Sequence, residues 1–321
     1  MTFKHIGSSE PRFLSATDIL IGDMSDINYE FLLFDRPIIL LANEWLKKEF
    51  PDIGIKTDLA GLKDAINRSI KSPNEFQHLR KKWLEHTISI TDEKASKRYI
   101  DIMIERSGIK EPKFVFNHGG NEVRETNLQP LFEEVYGRGF EAIMWKIDEY
   151  FKPDNSDKMI LVGAHFRDLP EDLPGYKVHI DHALKGFGTT NLDINYKEYS
   201  EKNHQPHIDL HICAGKAGEY RTKWLLGVKY KDRTAIGGYP KGDDLWRLNT
   251  KENKDAVYEE LGIEKGKLLV TYAPAGELSE MKPGGSLSAE VVNYLRELSK
   301  NADYHILIKL KYRGMMLPGG R

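Results

Sequence analysis

The sequence predicts an α/β protein built on parallel sheets, and two observations carry that reading. Short runs that are apolar on both faces recur along most of the chain, and segments with apolar positions three and four apart lie between them. Strands buried on both faces belong to parallel sheets covered by helices on each side. The runs are DILIG (18–22), PIILL (37–41), KFVFN (113–117), FEAIMW (140–145), MILVGA (159–164), YKVHI (176–180), IDLHIC (208–213), RTAIGG (233–238), KLLVTYA (267–273) and YHILIKL (304–310). Helical periodicity marks 127–135, 251–261 and 288–300, the last with Ser288 as a cap before Val291, Val292 and Leu295. Residues 60–107 differ: they are charged, short of strands, and predicted as helices on the outside of a domain. The helical pattern breaks at Ser107-Gly108-Ile109-Lys110-Glu111-Pro112, and a second break falls at 242–250. The segments are therefore taken as 1–107, 113–245 and 246–321.

At 321 residues and 40% hydrophobic content, the chain can bury substantial cores and is expected to form two domains. Lys and Arg number 47 against 49 Asp and Glu, a formal charge of -2, so no global basic field draws nucleic acid or an anionic membrane. Any anionic ligand must be held locally. The single cysteine, Cys213, excludes an internal disulfide framework. MTFKHIGSSEPRF lacks the apolar core of a signal peptide, and no run is long enough to span a bilayer. The expectation is a cytoplasmic protein with no nucleic-acid partner, with Arg80-Lys81-Lys82-Trp83 as a patch for peripheral contact with the inner membrane face.

The stretch from Thr17 to Leu40 reads as strand, polar loop, helix and second strand. Asp23-Met24-Ser25-Asp26 follows the strand and opens the helix. There, backbone N–H groups and the positive helix end can hold a diphosphate, with the Ser25 hydroxyl as a further donor. The competing reading is a plain turn in which Asp26 caps the helix, and its charge would repel a phosphate. Glu30, one turn on, is placed to meet a ribose hydroxyl.

His182 lies just past an apolar strand, at the carboxyl edge where open α/β sheets bind ligands, and a neutral imidazole there suits proton removal. The alternative is a structural histidine at a strand end. Lys185 either neutralises phosphate or is simply solvated. Gly238-Tyr239-Pro240-Lys241-Gly242-Asp243 closes a strand, either as a backbone cradle for a ligand or as a stiff interdomain turn. Tyr272 and Pro274 end another strand at the ligand-binding edge, and Gly284-Gly285-Ser286 is a weak second cradle. His204, His207 and His211, with His179 and His182, raise a divalent metal, but their spacing fits no helical two-histidine motif, so a metal is allowed and not indicated. Asn117-His118-Gly119-Gly120-Asn121 either lines a cleft or forms a tight structural turn.

From residue 113 onward the order of IDHALKGFGTTN, IDLHICAG, AIGGYPKGDDL, VTYAP and HILIKL resembles the CDP-glycerol glycerophosphotransferase family, whose members build teichoic-acid-type polymers. TDILIGDMSDINYE resembles the same family's donor-phosphate loop. The resemblance implies two Rossmann-like domains in a glycosyltransferase-B-like arrangement, with segments in permuted order. The family's last segment, 1 to about 107, precedes its first, 113–321. A circular permutation and a junction between tandem modules both fit that order. The resemblance further implies transfer of a glycerophosphate or related polyol phosphate from a CDP-activated donor to a polyol-phosphate or lipid-linked acceptor. His182 would act as base, and Asp23, Ser25, Asp26, Glu30, Tyr272, Pro274 and Lys311 would face the donor. Lys185, Gly238, Tyr239, Pro240 and Lys241 would face acceptor or phosphate, and no cofactor is implied. The chain departs from the family pattern at Asp26, Ala183 and Ala275, and at Lys311-Tyr312, where a His-Pro pair is expected. A lysine there offers a point charge in place of a titrating imidazole. A nucleotide-sugar glycosyltransferase or epimerase of the same fold, or a non-catalytic binding module, would share the hinge and the phosphate loop.

Overall fold

The computed structural model describes residues 2–5, 11–23, 25–41, 51–120, 122–145, 158–181, 184, 205, 207–264, 266–274, 289–301 and 303–310. The chain divides into two compact units, Met1–Leu84 with Leu245–Arg321, and Glu85–Asp244.

The first unit is a six-stranded, all-parallel sheet. Its strands are β1 (Thr2–His5), β2 (Ile19–Gly22), β3 (Ile38–Leu41), β4 (Ile55–Thr57), β11 (Leu268–Ala273) and β12 (Tyr304–Leu310), in the order β1-β12-β11-β2-β3-β4. The leading and trailing parts of the chain thus share one sheet, with Val270 to Ala273 of β11 in register with Ile19 to Gly22 of β2. Counted from β11 through β12 and resumed at β1, the order is 3-2-1-4-5-6, that of a doubly wound nucleotide-binding sheet. Apolar side chains alternate between its faces. Ile19, Ile21, Ile39, Val270, Tyr272, Ile306 and Ile308 pack against Leu62, Ala65 and Ile66 of α3 (Leu62–Lys71) and Val291, Leu295 and Leu298 of α10 (Ala289–Leu298). On the other face Leu269 and Leu307 meet Phe13 and Ala16 of α1 (Pro11–Ala16) and Val257 of α9 (Lys251–Glu260). Both faces are covered, which is why the strands read as continuous apolar runs.

The second unit is also a six-stranded parallel sheet, ordered β10-β9-β8-β7-β5-β6. Its members are β5 (Lys113–Asn117), β6 (Ala142–Trp145), β7 (Met159–Gly163), β8 (Tyr176–Ile180), β9 (Leu210–Cys213) and β10 (Thr234–Ile236). Phe114, Phe116, Ile160, Val162, Val178, Ile180 and Ile212 face α5 (Ala95–Ser107) and α6 (Glu122–Gly137). Val115, Met159 and Leu161 face the opposite way, toward Leu226 at the end of α7 (Lys216–Leu226).

The division at 84/85 differs from the 107/113 break expected from the sequence. Residues 60–107 do form helices: α3, α4 (Gln77–Thr87) and α5. However, α5 buries Tyr99, Ile100 and Met103 in the core of the second sheet, so it belongs with the unit that follows it. A glycine in the left-handed region, Gly108 at φ 65, ends α5 and frees the chain to enter β5. Within the expected membrane patch, Arg80 has a structural role. Only 1% of its side chain is exposed, and it donates to Asp35 Oδ1 at 3.0 Å and to the carbonyls of Asp35 and Pro73 at 3.0 and 3.2 Å. A guanidinium that holds the backbone in this way offers no charge to a bilayer. Among the described residues no helix is long and apolar enough to cross a membrane.

Candidate functional site

At the carboxyl edge of the first sheet, strand order reverses between β11 and β2, the place where open α/β sheets form a ligand crevice. Ala273 and Gly22 are register partners, so Pro274 and the Asp23–Ser25 loop leave adjacent strand ends. Two segments about 250 residues apart in sequence, both expected to face the donor, therefore meet at one sheet edge.

The loop is held by Asn28, whose Nδ2 donates to the carbonyls of Asp23 at 2.7 Å and Ser25 at 3.0 Å. A Cβ at Gly22 would stand 1.8 Å from Asn28 Oδ1, so only glycine lets the strand end lie against that side chain. Asp26 occupies the N-cap position of α2 (Ile27–Phe31) but makes no side-chain cap bond. The helix is five residues long and passes into a 3-10 turn at Leu32–Phe34, so the macrodipole expected to favour phosphate is short. The N–H groups of Ile27, Asn28 and Tyr29 are bonded within the loop, to Ser25 Oγ, Ser25 O and Asp26 O at 3.5, 3.2 and 2.9 Å. Glu30 is 8% exposed and Asp23 8%. Burial, followed by the Asp26 charge, pushes the Tyr29 phenol far above its ordinary range, so it stays protonated. Tyr272 is fully buried among the core residues of β11 and its neighbours, which makes its ring a packing element of the sheet.

In the second unit, β8 ends at Ile180, and Asp181 follows it as the residue before His182. Asp181 is buried, accepts a hydrogen bond from Arg221 of α7, and lies 3.4 Å from His211 Nε2. His179 and His211 are register partners on β8 and β9, and their Nδ1 atoms share a hydrogen bond at 3.1 Å. Gly218 lets α7 approach, since a Cβ there would lie 2.2 Å from Asp181 Oδ2. Burial alone would raise the Asp181 carboxyl, but Arg221, His211 and His179 outweigh it and hold the group well below the usual carboxylate range.

Asp181, His211 and Cys213 bring possible metal-ligand atoms within 4.8 Å of one another, yet the set does not suit a cation. Arg221 already occupies Asp181, His211 is bonded through both ring nitrogens, and burial with the Asp181 charge keeps the Cys213 thiol protonated.

The Gly-Tyr-Pro-Lys segment is built around α5. Gly238 has φ 87, Tyr239 is 3% exposed, and Pro240 opens α8 (Pro240–Arg247), where its missing N–H costs nothing. Tyr99 Oη donates to the Gly238 carbonyl at 3.0 Å. Asp243 accepts from the Ala95 and Ser96 N–H groups at 3.0 and 2.8 Å and from Ser96 Oγ at 2.9 Å, capping α5 from a distant part of the chain. These contacts account for the motif as a stiff turn. Lys241 is half-buried on α8.

His182, Lys185, His204, Lys311 and the 284–286 loop lie outside the described residues. His207 Nε2 lies 2.8 Å from the Leu169 carbonyl, away from the His179–His211 pair it was grouped with. Sequence reasoning weighed the Asn117–Gly120 turn but not Asp168, its partner in space. Arg124 Nη1 donates to Asp168 Oδ1 at 2.7 Å and Asn117 Nδ2 donates to Asp168 O at 2.6 Å. The signal was the pattern His118-Gly119-Gly120 directly after a strand. What it faces became readable only with the pairing of β5 and β7.

Two doubly wound α/β units, each with polar loops at the carboxyl edge of its sheet, define a chain of nucleotide-type binding architecture. Residues 8–105 match the sequence model of the family described as CDP-Glycerol:Poly(glycerophosphate) glycerophosphotransferase, so the family resemblance is shown over this segment. Among solved structures, the wall teichoic acid polymerase TagF aligns with a TM-score of 0.43 and 16% identity, covering 82% of this chain and 68% of that one. No curated protein matches.

Proposed function

We propose that the chain is a transferase that moves a glycerophosphate, or a related polyol phosphate, from a CDP-activated donor to an acceptor hydroxyl in teichoic-acid-type polymer synthesis. One observation carries this reading. Within the segment that matches the family, the Asp23–Ser25 loop joins Pro274 at the strand-order reversal of the first sheet. That edge is assigned to the donor diphosphate, and the carboxyl edge of the second sheet to the acceptor.

In the reaction, the acceptor oxygen bonds to the glycerol-bearing phosphorus while that phosphorus loses its bond to the cytidylate oxygen. The hydroxyl proton passes to His182, a residue type whose neutral imidazole suits proton removal. Asp181 follows β8 and is pinned by Arg221, so the backbone immediately before His182 is anchored. Pre-set dipoles and cationic side chains supply the larger part of barrier lowering in such phosphoryl transfers.

The test is turnover of CDP-glycerol by the purified chain with glycerol phosphate oligomers as acceptor, set against UDP-sugars. Release of CMP with CDP-glycerol alone supports the assignment. His182→Ala is expected to lower kcat by about 100-fold or more while leaving donor binding intact. A wild-type chain that turns over only UDP-sugars makes it a glycosyltransferase instead. Binding of CDP-glycerol without turnover makes it a binding module, a reading favoured by Lys311, which stands where the family pattern has a histidine.

A further inference from the structure

The strand order of the second sheet reverses between β5 and β7, since β6 lies to one side of β5 and β7 to β10 lie to the other. The residues leaving those two strand ends are His118-Gly119-Gly120 and the turn that contains Asp168. Asp168 is 1% exposed. Its Oδ1 is met by Arg124, but its Oδ2 is buried and has no hydrogen-bond partner among the described residues. His118 Nδ1 is in the same condition, with the nearest carboxylate oxygen, Glu125 Oε2, 3.9 Å away. Leaving a buried acceptor unmet costs about 1–3 kcal/mol, a cost a fold carries where a ligand supplies the missing donor.

We propose that this edge is a hydroxyl-binding subsite, in which Asp168 Oδ2 accepts a hydrogen bond from a polyol and His118 meets a neighbouring hydroxyl. Three features select that chemistry. A carboxylate repels a bare phosphate, so the group seated on Oδ2 must be a donor. Hydroxyls both donate and accept, and so satisfy Asp168 together with either tautomer of His118. Gly119, at φ 58, lets the turn that carries His118 lie against the Asp168–Arg124 pair, because a Cβ there would stand 2.5 Å from Asp168 Oδ1 and 2.9 Å from Arg124 Nη1. Burial raises the Asp168 carboxyl to about 6 even though Arg124 and the His165 backbone oppose the rise, which leaves an ionised, strongly accepting oxygen above neutrality. Arg124, 22% exposed, marks the solvent side of the pair. That the polyol is the transferase's acceptor rests on the function proposed above; the subsite itself does not.

Calorimetric titration of the full chain with sn-glycerol 3-phosphate, and separately with CMP, tests the assignment. Wild-type protein is expected to bind both. Asp168→Asn keeps the shape and an acceptor for Arg124 but presents a poorer acceptor or an N–H donor to the ligand. It is expected to weaken glycerol 3-phosphate by at least 10-fold, leave CMP unchanged, and keep a cooperative thermal transition. His118→Ala is expected to weaken the same ligand to a smaller degree. Failure of wild-type protein to bind glycerol 3-phosphate, or unchanged binding in a folded Asp168→Asn, overturns the subsite; should Asp168→Asn not fold, unchanged binding in His118→Ala does so. A chain that binds glycerol 3-phosphate through Asp168 but never turns over CDP-glycerol removes the transferase reading and keeps the subsite. Turnover with an unaltered acceptor KM in Asp168→Asn does the reverse.

Discussion

Asp181 shows how much of this molecule rests on single charges placed out of water. Its carboxylate is 4% exposed, and it stays ionised because Arg221 and the histidine pair face it. Arg221→Ala leaves that charge with the histidine pair alone and is expected to cost about 3 kcal/mol, read as a fall in the urea midpoint at neutral pH. The pH dependence follows from the direction of the shift. A folded-state pKa below the unfolded one stabilises the protein above the ordinary carboxylate range, and the gain is lost as pH falls toward the folded value. In Arg221→Ala, acid unfolding is expected to begin at a higher pH than in wild type, as circular dichroism would follow. Asp168 has the opposite sign. Its pKa of about 6 lies above the unfolded value, so its contribution to stability declines as pH rises from about 4 to 6. A protein that tolerates such a group gains in stability when it is neutralised. Asp168→Asn is expected to melt at the same or a higher temperature than wild type at pH 7.5, measured by calorimetry. The sequence could not reveal either group, because Asp168 meets Arg124 across 44 positions and Asp181 meets Arg221 across 40.

At the scale of elements, most strands were legible because burial on both faces writes the same apolar run into each. KFVFN, YKVHI and YHILIKL became β5, β8 and β12 with the boundaries expected. Two strands were not legible. Thr2–His5 and Ile55–Thr57 are short edge strands carrying Lys4 and Lys56, and edges that avoid pairing with other chains lack the apolar signal of central strands. The helices of 60–107 were legible, but their partners were not, since an apolar stripe does not say which sheet it will cover. The Gly-Tyr-Pro-Lys turn was legible as a turn, whereas the capping role of Asp243 depends on a helix almost 150 positions away. Asp243→Ala removes three hydrogen bonds from the start of α5 and is expected to cost about 2 kcal/mol, seen as faster amide exchange over 95–99. At the loop after β2, Gly22→Ala drives a Cβ into Asn28 and is expected to cost about 1–3 kcal/mol and to weaken binding of CDP-glycerol.

At the scale of the whole molecule, the first unit is assembled from two stretches separated by the entire second unit. Strands 18–22 and 267–273 lie side by side in one sheet, in the register of β2 with β11, so the two stretches assigned to the donor share one edge. A chain ending at residue 244 keeps every strand of the second sheet but strips β11 and β12 from the middle of the first. Hydrogen exchange on that truncated chain is expected to show protected amides in 113–117 and 159–163 and none in 19–22 or 38–41. Full protection in all four strands would mean that the first sheet closes without its central pair.

That arrangement also imposes a timetable on the ribosome. The aliphatic ribbons of β2 and β3 leave the exit tunnel long before their neighbour β11 has been translated, with some 160 residues of the second unit still to be made. During that interval the edge of β2 that β11 will take is unpaired and the faces that later elements cover are wet, the condition under which nascent chains associate with one another or with chaperones. Slow translation, or a pause before residue 268, would lengthen the exposure and lower the yield of native protein, however stable the finished fold.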